Sequence, residues 1–399
     1  LENKTISQKK LLGIAGLGWM FDAMDVGMLS FIIAALNADW GLTPQQMGWI
    51  GSVNSIGMAV GALLFGIWAD KIGRKNIFII TLLLFSLASG ASAFTTTLAA
   101  FLVLRFFVGM GLGGELPVAS TLVSESVPAK DRGRVVVLLE SFWAFGWLLS
   151  ALISYFVIPS YGWKIALIIS AIPAFYALYL RLNLPDSPAF SKRKVEKRTV
   201  RQNIQDVWSK EHSRSTLVLW VVWFTVVFSY YGMFLWLPSV MVMKGFSMIK
   251  SFEYVLIMTL AQLPGYYTAA WLIEKVGRKF VLVTYLLGTA ASALVFGNAE
   301  TTVVLMTAGI LLSFFNLGAW GALYAYTPEQ YPAVIRGTGS GMAAAIGRIG
   351  GILGPLLVGS LVAAGYTIGF IFTIFCISIV VGVAVLALLG RETKQIELT

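Results

Sequence analysis

Six ionisable side chains fall inside long apolar stretches of this 399-residue chain: Asp22, Asp25, Arg105, Glu115, Glu140 and Arg348. A charge surrounded by hydrocarbon is expensive, so each is a candidate for binding or proton chemistry. Arg348 stands among small residues, Gly347-Arg348-Ile-Gly350-Gly351, where a neighbouring helix can approach closely. Its planar guanidinium presents two parallel N–H groups to a carboxylate. Arg348 is therefore the candidate clamp for the anionic group of a small molecule. A carboxylate of the chain itself, or a lipid headgroup, could occupy the same donors. Asp22 and Asp25 are the candidate proton carriers, because a carboxyl group in a partly dry site takes up or loses a proton as that site closes or opens. Arg105 falls at the depth of Asp25, so the two can pair, either as a static bridge or as part of proton coupling. Glu115 joins Asp22, Asp25 and Arg105 as a proton-coupling candidate, and can instead hold the inner end of the site or pair with a basic loop residue; Glu140 reads as structural.

Aromatic residues supply flat surfaces near the same depth. Trp143 and Trp147 are spaced i, i+4, as are Trp320 and Tyr324, while Tyr230 and Tyr231 are adjacent. Residues four apart share a helix face, against which a planar heteroaromatic ring can stack. Asn316 can hydrogen-bond a ring nitrogen or an amide. Packing, or an interfacial belt, is the competing use of such rings.

A second set of charged residues occurs twice. Gly66-x-x-x-Asp70-Lys71-x-Gly73-Arg74-Lys75 is matched by Ala270-x-x-x-Glu274-Lys275-x-Gly277-Arg278-Lys279, and Glu125-x-x-Pro128-x-x-x-Arg132-Gly133 by Glu329-x-x-Pro332-x-x-x-Arg336-Gly337. Every pair is 204 positions apart. Duplication of a multi-span unit is a transporter architecture. Asp70, Arg74, Glu125, Arg132, Glu274, Arg278, Glu329 and Arg336 are the candidate gating residues: charge pairs at helix ends can join two halves in one state and part in another. The six intramembrane charges have no such counterparts. Asp22 maps to Val226, Asp25 to Ser229, Arg105 to Gly309, Glu115 to Ala319, Glu140 to Ala344, and Arg348 back to Ala144. Scaffold duties survive duplication, whereas one asymmetric ligand needs an asymmetric site.

The elements that must position these residues are membrane helices. The chain is 58% hydrophobic and 12% charged, with mean hydropathy +0.81, against the roughly 25% charge of soluble domains. Segments such as Ile77–Phe94 and Ile368–Leu389 carry no charge at all, which is the mark of a spanning helix. A soluble enzyme, a nucleic-acid-binding domain and a disordered chain are excluded. A single cysteine, Cys376, and a single histidine, His212, with no H-E-x-x-H, leave no disulfide, metal cluster or nucleophile–base pair to expect. The expectation is a non-enzyme with no cofactor and no metal.

Apolar runs place twelve spans at about 11–36, 46–69, 76–94, 98–124, 134–158, 162–182, 216–241, 251–273, 280–298, 301–326, 336–363 and 367–389. The fold expected is all-α, with twelve transmembrane helices in two pseudo-symmetric six-helix bundles: residues 1–182, a cytoplasmic linker 183–215, and residues 216–399. With the N-terminus inside, 24 of the 29 Lys and Arg lie on the inner side, so both termini are expected in the cytoplasm. The net charge of +10 is then topology, and no nucleic acid is implied. The turns around Val200–Trp208 can lie on the lipid surface or in solvent.

With these motifs in view, the chain resembles the major facilitator superfamily over its full length. The Gly66–Lys75 segment is similar to that family's loop 2–3 signature, and Arg105-x-x-x-Gly109-x-Gly111 to its span-4 signature. Pro185-Asp-Ser-Pro188 and Glu392-Thr-Lys394 resemble the sugar-porter-like branch, whose glutamine pair on span 7 is missing here. Trp223–Gly232 resembles the organic cation and anion transporters, without their large cysteine-rich loop after span 1. Gly18–Gly27 and Phe314–Gly321 resemble the bacterial niacin transporters, and Asp22-x-x-Asp25 the aromatic acid–proton symporters. The resemblance implies a monomeric carrier in a bacterial inner membrane that imports nicotinate or nicotinamide by alternating access, with protons as a coupling ion. It extends an anion-binding role on span 11 to Arg348. Another aromatic carboxylate, a small organic cation held by Asp22, or a membrane binding protein that does not transport are the alternatives.

Overall fold

The computed structural model describes residues 8–72, 74–113, 127–182 and 199–395. Of residues 8–11, 14–15, 66–72, 74–75, 77–78, 173–174, 176–178 and 180–182 only the backbone is described. Glu115 and Glu125 thus lie outside the described residues, as do the side chains of Asp70 and Arg74.

The described chain is helical and contains no strand. Spans 1 to 4 are Gln8–Trp40, Pro44–Ile72, Arg74–Ser92 and the segment beginning Leu98–Leu112. Span 5 is two helices, Arg132–Glu140 and Phe142–Tyr161, and span 6 is Trp163–Leu182. Span 7 is Ser213–Phe234 with a short continuation Leu237–Met243, and span 8 is Met248–Leu260 with Gln262–Val276. Spans 9 to 12 are Arg278–Gly297, Thr302–Tyr326, Ala333–Ala363 and Ile368–Leu389. This is the expected all-α arrangement of twelve spans in two six-helix bundles. Eight of the helices are long and apolar enough to cross a bilayer even within the described residues.

The connection expected over 183–215 is more ordered at its end than composition suggests. Span 7 starts at Ser213, and a helix Val200–Val207 precedes it. A capping box starts that helix: Thr199 Oγ1 accepts from the Gln202 N–H and Gln202 Oε1 from the Thr199 N–H, both at 3.2 Å. Two orphan donors are thereby satisfied in a segment too polar for a hydrophobic run to reveal it.

The duplication is visible in the packing. Span 1 lies on span 5 as span 7 lies on span 11, and spans 2 and 4 cross as spans 8 and 10 do. The crossings rely on the same kind of residue. A Cβ on Gly61 would strike the Met110 carbonyl, and one on Gly265 the Phe314 carbonyl; both members of that contact are 204 positions apart. Glycine is needed there because backbone meets backbone.

Between the halves, span 2 meets span 11 and span 5 meets spans 8 and 10. Spans 2 and 11 close at the face opposite the chain termini. Ser52 Oγ donates to the Ile352 carbonyl at 2.6 Å, Gly48 lies against the Pro355 carbonyl, and Gly359 against that of Pro44.

Candidate substrate site and gate

A cavity of about 170 Å³ lies between the halves at mid-depth, below the ~300–1,000 Å³ usual for drug-sized ligands. Its size suits a single-ring molecule. Towards the termini it runs between spans 2 and 11, past Ala62, Ser340 and Pro328. Spans 2 and 11 thus touch at one face and stand apart at the other.

The wall is aromatic. Trp143 stacks on Trp320 with ring centroids 5.8 Å apart and 29° between planes. The Trp143 indole N–H donates to the Tyr230 hydroxyl at 2.7 Å, which fixes the ring. Tyr324 makes T-shaped contacts with Trp19 at 5.3 Å and with Trp223 at 5.0 Å, and the Trp223 indole N–H donates to Thr327 Oγ1 at 2.9 Å. Edge-to-face contacts and anchored indoles hold the box rigid before any ligand arrives.

Arg348 lines this cavity, with Tyr231 and Gly351 beside it. Among the described residues it makes no ion pair and no hydrogen bond, although it is only partly exposed. Asp22 is buried on span 1. Tyr231 and Tyr324 lie within electrostatic reach of both Arg348 and Asp22. The cavity therefore has a cation on its wall, with a carboxylate close behind it.

Of the sequence-based candidates, Trp143, Tyr231, Trp320, Tyr324 and Arg348 line the cavity. Trp147, Tyr230 and Asn316 are buried behind it. Trp19 and Trp223 line it too and were not singled out by the spacing of aromatic pairs. Their signal was the repeat: they stand 204 positions apart, one in each half.

Asp25 and Arg105 are paired, as their depths suggested. Arg105 Nη2 lies 2.8 Å from Asp25 Oδ1, with both side chains nearly inaccessible, and Asn54 Nδ2 donates to Asp25 Oδ2 at 3.2 Å. Arg105 Nε has no acceptor among the described residues. The carboxylate is held by two donors from two other spans, and the cation is incompletely satisfied.

At the face carrying the termini, a buried network joins the halves. Glu329 Oε1 accepts from Arg132 Nε at 2.8 Å, and its Oε2 lies 3.1 Å from Arg278 Nε. Arg278 also reaches Glu274 one turn earlier at 3.2 Å, and the Arg134 N–H donates to Glu274 Oε1 at 3.0 Å. Arg336 Nε donates to the Pro328 carbonyl at 3.2 Å. Gly277, at φ +95°, turns the chain between spans 8 and 9, a conformation that favours glycine. The segment after span 12 closes over the network. Thr393 Oγ1 donates to Glu329 Oε2 at 2.6 Å, and Glu392 Oε1 and Oε2 accept from the Arg278 and Lys279 N–H groups at 2.9 and 3.1 Å. Glu392 thereby caps the start of span 9, where negative charge is favoured.

Comparison with known proteins agrees with this geometry. The chain matches the Major Facilitator Superfamily family model over residues 15–265 and 252–398. It is 68% identical over 397 residues to the Bacillus subtilis protein provisionally named niacin/nicotinamide transporter NiaP, covering 100% of this chain and 99% of that one. It is 48% identical to the niacin transporter NiaP of Acinetobacter baylyi, over 96% of this chain and 94% of that one. Among solved structures, a D-xylose–proton symporter superposes with a TM-score of 0.79 at 21% identity, over 97% of this chain and 99% of that one. The duplicated halves, the buried bridge between them and these matches lead to one assignment: the chain belongs to the major facilitator superfamily.

Proposed function

We propose that the protein carries niacin across the inner membrane of a bacterial cell, into a cytoplasm that holds both of its termini. The observation that carries this reading is the mid-depth cavity in which Arg348 has no partner among the described residues while an aromatic box surrounds it. A pyridine carboxylate meets both features: the carboxylate takes two guanidinium N–H groups and the ring stacks on Trp320 or Tyr324. High identity to two proteins named as niacin transporters over nearly the whole chain supports the same substrate.

Transport follows from the two closures. With spans 2 and 11 packed at the far face, the cavity is reached from the cytoplasmic side. Parting of Glu329 from Arg132 and Arg278 widens that access, whereas release of the Ser52–Ile352 contact while the Glu329 bridges hold exchanges it for access from the far face. A ligand can drive this only by binding the two states with different affinity. Asp25, held by Arg105 and Asn54, and Asp22, beside the substrate box, are the carboxylates that couple a proton to the cycle. Nicotinamide fits the box without engaging the charge of Arg348. An organic cation would instead be held by Asp22.

The test is uptake of labelled nicotinate into proteoliposomes, with and without an inward proton gradient, for the intact protein and for Arg348→Ala. Saturable uptake that disappears in the variant supports both the substrate and the clamp. Absence of nicotinate uptake, together with thermal stabilisation by an organic cation, overturns the anion assignment. Absence of any substrate-stimulated exchange overturns transport.

A further inference from the structure

Among the described residues, the gate, the substrate box and the Asp25–Arg105 pair leave one ionisable group of the spans without a task. Glu140 is completely buried, and among the described residues neither of its carboxyl oxygens meets a hydrogen-bond donor. It is the last residue of the first helix of span 5, immediately before the break at Ser141, and at i, i+3 it shares a helix face with Trp143 of the substrate box. Spans 5, 8 and 10 come together here. A Cβ on Gly321 of span 10 would touch Val137, one turn before Glu140, and Tyr266 of span 8. Tyr266 is itself fully buried with its hydroxyl unsatisfied, and Gln262, one turn away on the same helix, has an unsatisfied Oε1.

The titratable groups that face Glu140 are phenols. Tyr266 from span 8 and Tyr324 from span 10 both lie within electrostatic reach of it. Span 1, which also packs on this segment, brings Asp22, sensed by the same Tyr324. The charges at the ends of these helices, Arg132, Glu274 and Glu329, are engaged with one another and with Arg278. Arg132 is eight residues away, about 12 Å along the helix. Among the described residues no cation therefore compensates Glu140, and an ionised carboxylate in such a place is prohibitively desolvated.

We infer that Glu140 is a proton-binding site of the carrier, holding a proton while spans 5, 8 and 10 are packed together and releasing it when they part. On opening, water reaches the carboxyl group, the O–H bond breaks and the proton leaves to solvent with the charge remaining on Glu140. Arg132, one partner of the bridge to Glu329, stands on the helix of Glu140, so opening the gate and exposing Glu140 are one movement. The inference rests on the transport reading given above.

Two measurements on the full-length protein in liposomes test it separately from the substrate. First, infrared difference spectra are taken for wild type, Glu140→Gln and Glu140→Asp. A protonated-carboxyl C=O band present at neutral pH, lost in the Gln variant and shifted in the Asp variant, is expected. Its absence from the wild type, or its persistence unchanged in Glu140→Gln, overturns the proposal whatever the substrate proves to be. Second, the ratio of proton-driven nicotinate accumulation to nicotinate counterflow is expected to fall at least tenfold in Glu140→Gln and to recover in Glu140→Asp. An unchanged ratio overturns the proton role. Stabilisation of the wild type by sodium that is lost in Glu140→Gln would reassign the group to a metal cation and overturn it equally. If wild-type counterflow is absent, the substrate reading fails and the infrared result still decides Glu140.

Discussion

Arg132 and Glu329 are 197 positions apart and meet at 2.8 Å, each almost wholly inaccessible to solvent. With the Arg134 N–H on Glu274 Oε1, this contact fastens the first half of the carrier to the second at the face carrying the termini. It is reinforced because Arg278 of the second half shares the same carboxylate. Two cations on one buried acid make a latch that loses much when either cation is removed, since the remaining groups stay buried.

Glu329→Gln is expected to destabilise the closed latch by about 3–5 kcal/mol and to shift the carrier towards a form open at this face. In a Cys376→Ser background with a cysteine at Ala344, which lines the cavity, labelling by an impermeant thiol reagent from the face carrying the termini should accelerate. Unchanged labelling would mean that the bridge does not control access.

Arg348→Ala is expected to weaken nicotinate binding at least ~30-fold, equivalent to ~2 kcal/mol, because it removes a charge partner in a desolvated cavity. Nicotinamide, which brings no charge, should lose no more than the ~1 kcal/mol of an ordinary hydrogen bond. Calorimetric titration of both ligands gives the comparison. Equal losses would show that Arg348 does not act as a carboxylate clamp.

These two predictions differ in how far the sequence anticipates them. The charged network proposed as the gate was legible as a set of positions because duplication writes it twice: Glu274, Arg278 and Glu329 stand in register with Asp70, Arg74 and Glu125. The Asp25–Arg105 pair was legible from depth alone, since an unpaired charge at mid-membrane needs a partner at the same level. The cavity wall was less so. Trp19 and Trp223 resemble lipid-facing or interfacial indoles in a linear reading, and only the crossing of spans 1, 7 and 10 brings both against Tyr324. Trp147 and Asn316, equally plausible by helical spacing, turn into the packing instead. Helical periodicity says which residues share a face; in a bundle apolar all round it does not say which face meets the cavity.

Asp25→Asn tests whether the buried pair carries a proton or only a load. The substitution keeps the shape but gives up one of the two accepting oxygens and leaves Arg105 without its counter-ion, which should lower thermal stability by about 3 kcal/mol. If the pair couples protons, the ratio of gradient-driven accumulation to counterflow falls at least ~10-fold, corresponding to ~1.4 kcal/mol of lost coupling. If the ratio holds while the melting temperature drops, the bridge is a static one.

The far-face closure gives a test of alternating access that leaves every charge in place. Spans 2 and 11 touch there through backbone, with Gly359 against the Pro44 carbonyl and Gly48 against that of Pro355. A side chain at either glycine must push the helices apart, because a carbonyl in a helix cannot swing away as a flexible side chain can. Gly359→Leu should therefore cost ~1–3 kcal/mol in the far-closed state and nothing comparable in the state where these ends are already separate. The population moves towards access from the far face, by about tenfold for each 1.4 kcal/mol of that difference. A cysteine at Ser55, which lines the cavity, then becomes more reactive to impermeant reagent from the far side, and nicotinate turnover slows because one half of the cycle is penalised. Gly359→Ala should produce a smaller shift in the same direction. Slower turnover without a change in labelling would place the defect in folding rather than in access.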